Sequence, residues 1–198
     1  SLNVDSLLIN EKIQEKLPGE VYVIKSIDEA VIDHPSDALN FPPEFLNTLT
    51  PSGMPPHILN LKVGAIVMLL RNLNIKEGLC NGTRLILNRV ENSILNCTIL
   101  TGIKEGCVVA IPKIDCYSEH NLSFKLKRRQ FPLRLSFCMT INKAQGQTFK
   151  KIGLYLNQEV FTHGQLYVAL SRARNKENIF IYSKKTKMRN VVFDEIFK

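Results

Sequence analysis

The chain of 198 residues has no long hydrophobic run, because none of its apolar stretches approaches the roughly 20 residues that span a bilayer. Its N-terminus, SLNVDSLLINEKIQEK, also lacks a basic stretch followed by an apolar one. The sequence therefore predicts a soluble chain with no secretion signal and no membrane partner. A hydrophobic content of 44% is enough for one ordinary core or two small ones, which excludes an intrinsically disordered tail.

Paired cysteines and clustered histidines are absent as well. The five cysteines include no C-x-x-C pair, and the four histidines are scattered at positions 34, 57, 120 and 163. A closed zinc site needs ligands that come together in pairs, so we predict no metal site. We interpret the thiols as small, reduced hydrophobic residues of a cytosolic or nuclear protein, at Cys80, Cys97, Cys107, Cys116 and Cys138.

Carboxylates are missing between Glu119 and Glu159, a stretch that holds eight lysines and arginines. The whole chain has a formal net charge of +8, but residues 1–60 have a balance of −6 and the remainder has +14. A basic stretch without acidic neighbours attracts phosphates, so a polyanion is the expected partner. The alternative is a solvated basic face that the acidic first third of the chain neutralises.

The apolar pattern of the first two thirds changes near Lys62. Residues 4–17 have helical spacing that stops at Pro18-Gly19, a short strand is expected over 21–27, and six prolines between 28 and 60 leave little regular structure there. From Lys62 onward, short β-branched runs alternate with turn residues, which is typical of a small antiparallel barrel or sandwich. These expected strands are 63–70, 84–90, 94–100 and 107–111.

The last third predicts an α/β arrangement. Strands are expected over 133–140, 152–156 and 179–182. A helix is expected over 163–173, where Leu166, Leu170 and Ala173 recur at helical spacing. This order favours a three-layer α/β piece that follows the small barrel.

Two polar segments of this last third are hard to explain as scaffold. The segment 135–148 ends an apolar strand and then presents several hydrogen-bonding side chains, and open α/β sheets bind ligands at the carboxyl ends of their strands. The segment 161–174 is a helix that ends in Ser171, Arg172 and Arg174. Each has a simpler alternative, which is a polar exit from a strand for the first and a stabilising charge at a helix C-terminus for Arg172.

The segments MTINKAQGQT (139–148) and HGQLYVALSRA (163–173) resemble motifs V and VI of superfamily-one helicases of the Pif and RecD branch. Four further segments fit the same family: LPGEVY (17–22), LTPSGMPPH (49–57), LKVGAIVMLLRNL (61–73) and GLCNGTRL (78–85). Together they make the chain similar to the C-terminal half of a Pif-type DNA helicase, closest to those of Helitron transposons.

The resemblance implies a fold class and a division of the chain. The class is α/β, with a partial RecA-like domain of the P-loop NTPase type, called 2A, and a small SH3-like β-barrel, called 2B, inserted into it. Residues 1–60 would form the start of 2A and a proline-rich connector, 61–130 the 2B insertion, and 131–198 the remainder of 2A with motifs V and VI.

The resemblance also implies an activity, which is ATP-dependent 5′-to-3′ movement on single-stranded DNA, in the nucleus or elsewhere inside the cell. ATP and Mg²⁺ are the implied cofactors. Arg172 would be an arginine finger at the γ-phosphate, with Gly146 and Gln147 near the nucleotide. The implied DNA-binding residues are Thr140, Asn142 and Lys143 and, as a hypothesis, the basic run Lys125, Lys127, Arg128 and Arg129. Many family members have His at position 142 and Ser at 144, so Ala144 here lacks a hydroxyl that could contact DNA.

A P-loop, GxxxxGK[ST], does not occur in these 198 residues, and no acidic Walker B segment precedes residue 60. Because ATP in this family lies between two RecA-like domains, a missing N-terminal helicase half would hold most of the nucleotide and its Mg²⁺. We therefore expect no ATPase activity from this chain alone. The alternatives are a non-enzymatic module that binds single-stranded nucleic acid and a transposon relic.

Overall fold

A computed structural model describes residues 3–31, 41–118, 122, 124–156, 160, 162–184 and 190–191. The chain divides into two compact units. The larger unit is Asn10–Phe137, and the smaller unit combines Ser1–Ile9 with Cys138–Lys198. The predicted division at residues 60 and 130 differs from this grouping, since residues 10–60 belong to the larger unit together with the expected insertion.

The regular elements are numbered here in chain order. The helices are α1 (Asn3–Glu15), α2 (Pro43–Thr48) and α3 (Gln165–Leu170), with 3₁₀ turns at Ile141–Ala144 and Lys176–Asn178. The strands are β1 (Tyr22–Lys25), β2 (Ile27–Val31), β3 (Ile58–Leu61), β4 (Ile66–Leu69), β5 (Arg84–Val90), β6 (Ile94–Ile99), β7 (Val108–Pro112), β8 (Ile114–Tyr117), β9 (Lys125–Gln130), β10 (Leu133–Leu135), β11 (Ile152–Leu156) and β12 (Ile179–Ser183).

The main sheet of the larger unit has the order β10-β4-β5-β6-β7, with all neighbours antiparallel. Alternate residues of its strands point to one face and form the core, in which Val67, Leu85, Cys97 and Leu133 are buried. The four β-branched runs predicted after Lys62 are therefore confirmed as strands. Among the described strands the sheet is open, with β10 and β7 at its edges, so the predicted closed SH3-like barrel is not confirmed.

The larger unit also contains a three-stranded sheet, β2-β9-β8, that the sequence did not predict. Strand β2 pairs antiparallel with β9, which places Asp28 opposite Arg128 and Glu29 opposite Lys127. Opposite charges on paired strands attract, so an acidic segment and a basic segment form strands although neither has an apolar pattern. This pairing corrects the expectation of little regular structure over 28–60, where β2, α2 and β3 also lie.

The first helix ends where the sequence predicted, just before Pro18-Gly19. The Lys62 side chain donates hydrogen bonds to the carbonyl oxygens of Glu15 and Leu17, at 3.3 and 2.7 Å. Gln14 Nε2 donates to the carbonyl of Asn60 at 3.1 Å. A buried lysine at a helix C-terminus satisfies carbonyls that the helix itself leaves without partners.

In the smaller unit, β11 and β12 form a parallel pair, and α3 lies between them in the sequence. This strand–helix–strand order confirms the predicted α/β class. The core of the unit joins Ile141, Leu156, Val160 and Ala169. The helix is shorter than the predicted 163–173 because it begins after Gly164, whose φ of 70° lies in the left-handed region. The predicted strand 133–140 ends at Leu135.

Candidate nucleotide and nucleic-acid site

The segment after Thr140 folds as a 3₁₀ turn that sorts its side chains by burial. The Thr140 carbonyl accepts hydrogen bonds from the backbone amides of Lys143 and Ala144, at 3.1 and 3.2 Å. Ile141 and Ala144 are buried, whereas Asn142 and Lys143 are exposed. Thr140 is half-buried. The apolar residues of the turn therefore anchor it and leave Asn142 and Lys143 at the surface, where polar ligands can reach them.

Gly146 and Gln147 follow as a tight turn. Gly146 has a φ of 78°, which a residue with a β-carbon adopts only with strain, and it is exposed. Gln147 is held by two hydrogen bonds, from its backbone amide to the Ala144 carbonyl and from its side-chain Nε2 to the Lys143 carbonyl, both at 3.1 Å. The turn brings residues 143–147 together as one compact loop.

Arg172 connects this loop to the segment that follows α3. Its Nη1 donates to the Gln147 carbonyl at 3.0 Å, its Nη2 to Ser171 Oγ at 2.8 Å, and its Nε to the Val168 carbonyl at 2.9 Å. The Phe149 amide donates to the Arg172 carbonyl at 2.8 Å. The two polar segments singled out in the sequence are thus in direct contact, which the sequence pattern by itself did not establish.

The guanidinium of Arg172 retains donors for a further ligand. A guanidinium has five N–H groups, and these three hydrogen bonds use one on Nε and one on each terminal nitrogen. One N–H on each terminal nitrogen remains, and the side chain is partly exposed. Two such donors suit a pair of phosphoryl oxygens. The bond to Val168, in the last turn of α3, shows that Arg172 also stabilises the helix end, as the simpler alternative required.

The basic strand β9 is largely neutralised by acidic neighbours. Lys127 Nζ lies 3.0 Å from Glu29 Oε2 and 3.7 Å from Asp115 Oδ2, and the hydrogen bond to Glu29 raises the pKa of Lys127. Arg129 Nη1 lies 3.7 Å from Asp115 Oδ1, but its side chain remains 60% exposed. The alternative of a basic face neutralised by the acidic first third thus describes Lys127 well, although Asp115 lies outside that third.

Arg128 is internal, which corrects the expectation that the whole run 125–129 faces DNA. Its side chain is 0% exposed and donates from Nε to Asp28 Oδ1 at 2.8 Å and from Nη2 to Asp28 Oδ2. It also donates to the carbonyls of Pro55 and Leu46, at 3.0 and 3.1 Å. A signal for this role existed in the sequence, since Asp28-Glu29 is an acidic pair that a basic strand can oppose.

Lys125 begins β9 and is exposed. Its Nζ lies 4.9 Å from the centroid of the Tyr117 ring, a cation–π geometry that leaves the ammonium at the surface. Lys125 and Arg129 are thus the members of the basic run whose charges remain accessible.

Metal-binding and membrane-spanning features were also examined over the described ranges. No group of three or more His, Cys, Asp or Glu side chains there is arranged to hold a metal ion. No helix in the described part is both long and apolar enough to cross a membrane.

Comparison with known proteins identifies the fold. A family model described as the viral superfamily 1 RNA helicase core domain matches residues 78–181, more than half of the chain, and one described as the DNA helicase Pif1 2B domain matches residues 44–90. The fold and the joined polar segments are therefore those of an α/β helicase core. The chain belongs to the superfamily 1 helicases, and within them to the Pif1 type.

The similar proteins are Pif1 helicases from animals. The ATP-dependent DNA helicase PIF1 of Rattus norvegicus is 35% identical over 179 residues, which cover 88% of this chain and 25% of that protein. The protein of the same name from Homo sapiens is 33% identical over 178 residues, with the same coverage. The chain thus spans about a quarter of the length of the curated relatives it matches.

Solved structures give the same family. The Pif1 helicase of Candida albicans has a TM-score of 0.68 and 25% identity, covering 91% of this chain and 43% of that one. Bacteroides Pif1 bound to single-stranded DNA has a TM-score of 0.69 and 25% identity, covering 100% of this chain and 42% of that one. The predicted Pif-type membership is confirmed, whereas closeness to Helitron helicases stays a prediction.

Proposed function

We propose that this chain acts as the C-terminal portion of an ATP-dependent DNA helicase that moves 5′ to 3′ on single-stranded DNA, with Arg172 as its arginine finger. The printed names of the relatives support the helicase activity, and the Bacteroides relative was solved with single-stranded DNA bound. A DNA-processing enzyme works where DNA is kept, so we place it in the nucleus or another intracellular compartment with DNA.

The observation that carries this proposal is the position of Arg172. Its three internal hydrogen bonds fix the guanidinium against Gln147, and its two remaining terminal N–H groups can bind phosphoryl oxygens. A guanidinium held in advance stabilises the charge that develops on a transferred phosphoryl group without having to reorganise. Helix stabilisation alone needs only the bond to Val168, so the bond to the Gln147 carbonyl favours the further role.

ATP and Mg²⁺ would be held mainly by a RecA-like domain outside these 198 residues. The P-loop that cradles phosphates is not part of this sequence, and the described acidic side chains do not cluster as a metal site would require. Arg172, Gly146 and Gln147 fit the nucleotide as a complementary surface. We accordingly propose that the 198-residue chain alone does not turn over ATP.

The DNA track is assigned to Thr140, Asn142 and Lys143. Asn142 and Lys143 are exposed on the 3₁₀ turn, and an ammonium and an amide are suited to backbone phosphates and base edges. Lys125 and Arg129 are proposed as peripheral phosphate contacts, and Lys127 as a weaker one because Glu29 and Asp115 already pair with it. Arg128 is left out of the track because it is buried.

The division of the chain is also a proposal. We assign 61–130 to the 2B insertion, 1–60 to the start of domain 2A and its connector, and 131–198 to the remainder of 2A. The Pif1 2B family match over residues 44–90 supports a 2B region that overlaps this assignment. The neutralised strand β9 counts against a purely electrostatic binding module, because half of its charges have internal partners.

The test is an ATPase assay on a chimera in which this chain replaces the matching 42% of Bacteroides Pif1. DNA-stimulated ATP hydrolysis is expected, and Arg172→Ala should reduce kcat by about 10³-fold or more. Arg174→Ala is the matched control, because Arg174 is exposed two residues away and should leave kcat within about twofold. Equal activity of the wild-type and Arg172→Ala chimeras would overturn the arginine-finger assignment.

A further inference from the structure

The outer face of the main sheet, opposite its core, carries two arginines in one row. Arg134 on β10 pairs with Met68 on β4, and Met68 pairs with Arg84 on β5. Paired residues of neighbouring strands point to the same face, so Arg134 and Arg84 flank Met68 with their Cα atoms about 10 Å apart. Arginine side chains are long enough to converge on one small ligand across that span.

Ser136 joins the two arginines. Arg84 Nη2 donates to the Ser136 carbonyl at 3.0 Å, and Ser136 stands two residues beyond Arg134, on the same face by strand alternation. Ser136 is 0% exposed, and its Oγ has no hydrogen-bond partner. A buried hydroxyl without a partner is uncommon in folded proteins and calls for an explanation.

Arg134 is itself unsatisfied. Within the part of the chain that the structure describes, it forms no ion pair and its buried Nε has no hydrogen-bond partner. Burial lowers the pKa of Arg134 and likewise that of Arg84. A half-buried guanidinium without a counter-charge destabilises the fold, because its desolvation is not compensated.

We propose that Arg134, Arg84 and Ser136 form an anion site that takes a backbone phosphate of single-stranded DNA. A phosphate accepts from both guanidiniums and from the Ser136 hydroxyl, which satisfies the donors that the protein leaves without partners. DNA is favoured over a free anion because Arg134 precedes Thr140 by six residues, a reach of no more than about 20 Å. One strand can therefore contact both positions. The inference rests on the proposed DNA-binding function and adds a contact outside residues 139–148.

The test uses the whole chain and a labelled oligothymidylate, with affinity measured by fluorescence anisotropy between about 50 and 200 mM salt. Arg134→Gln should weaken binding about tenfold and reduce the salt slope by about 0.7, because one phosphate contact is lost. Arg134→Lys should recover the slope but only part of the affinity, since it keeps the charge and loses the planar fork. Arg89→Gln is the matched control, because Arg89 lies on β5 with a 75% exposed side chain paired to Glu91.

A thermal melt separates binding from structural support. Arg134→Gln removes a charge that the fold does not pair, so its Tm should equal or exceed that of the wild type. Unchanged affinity of Arg134→Gln would overturn the proposal, and so would an affinity loss accompanied by a lower Tm.

A second arm distinguishes this inference from the DNA-binding proposal on which it rests. If the wild type does not bind the oligonucleotide, inorganic phosphate is tested by thermal shift on the same variants. A rise in Tm for the wild type and Arg89→Gln but not for Arg134→Gln would retain the anion site and reject DNA as its ligand. No rise in any of them would reject both.

Discussion

Replacement of Arg128 by methionine should unfold the larger unit far more readily than the same change at Arg129. The Arg128 side chain is 0% exposed, as is the carboxylate of Asp28 that it binds with two donors. Its removal leaves a buried carboxylate whose remaining hydrogen-bond donor is Ser26 Oγ, at 2.6 Å, with His57 Nδ1 3.5 Å away. It also deprives the carbonyls of Leu46 and Pro55 of a donor.

The expected loss is about 3–5 kcal/mol, the range for a buried ion pair that loses one partner. For a unit of this size, that corresponds to a fall in Tm of roughly 6–20 °C. Arg129→Met should cost less than about 1 kcal/mol, because Arg129 is 60% exposed and 3.7 Å from Asp115. The two changes remove the same side chain from adjacent positions of one strand, so their difference isolates the effect of burial.

Urea unfolding followed by far-ultraviolet circular dichroism is the appropriate assay, because the chain has no tryptophan to report by fluorescence. Combining Asp28→Asn with Arg128→Met should recover part of the stability, since the uncompensated charge is then gone. Equal midpoints for the Arg128 and Arg129 variants would refute the argument that Arg128 is a structural residue rather than a DNA contact.

Three further predictions concern a lysine, a thiol and the DNA track. Lys62→Met should destabilise the chain by about 1–3 kcal/mol in urea unfolding, because it removes both hydrogen bonds to the end of α1, whereas exposed Lys76→Met should have little effect. Burial raises the pKa of Cys97 to about 12 from 9.0, so its contribution to stability is complete below about pH 9 and is lost as the pH rises toward 12. Unfolding at about pH 8 and about pH 10.5 should show a smaller alkaline loss for Cys97→Ala than for the wild type, and an unchanged loss for exposed Cys107→Ala. Lys143→Glu should weaken oligothymidylate binding more than Lys127→Glu, because Glu29 and Asp115 already offset the charge of Lys127, and the reverse order in an anisotropy titration would contradict the proposed track.

The strands of the main sheet could be predicted because their β-branched residues face one core. In β6, Leu95, Cys97 and Ile99 are buried while the residues between them are not, and that alternation is visible in the sequence. Strand β9 could not be predicted in this way. Its buried residues include Arg128 and Gln130, whose polar groups are satisfied by distant backbone carbonyls that only the folded chain brings near.

The candidate site divides along the same line. The side chains of residues 140–148 and Arg172 could be selected from the sequence because each has chemistry suited to phosphate or DNA. Their contact could not, since residue types alone do not place the Gln147 carbonyl against Arg172 across 25 positions. The Arg84–Arg134 row was missed for a related reason. Only the strand register puts two arginines 50 positions apart on one face.

The central claim is that this chain is the DNA-tracking, arginine-finger portion of a helicase. Strand separation by the Bacteroides Pif1 chimera tests it most directly, using duplexes with a 5′ or a 3′ single-stranded tail. ATP-dependent separation of the 5′-tailed duplex is predicted, with its loss in Arg172→Ala and its retention in Arg174→Ala. Preference for the 3′-tailed duplex, or unwinding that persists in Arg172→Ala, would contradict the claim.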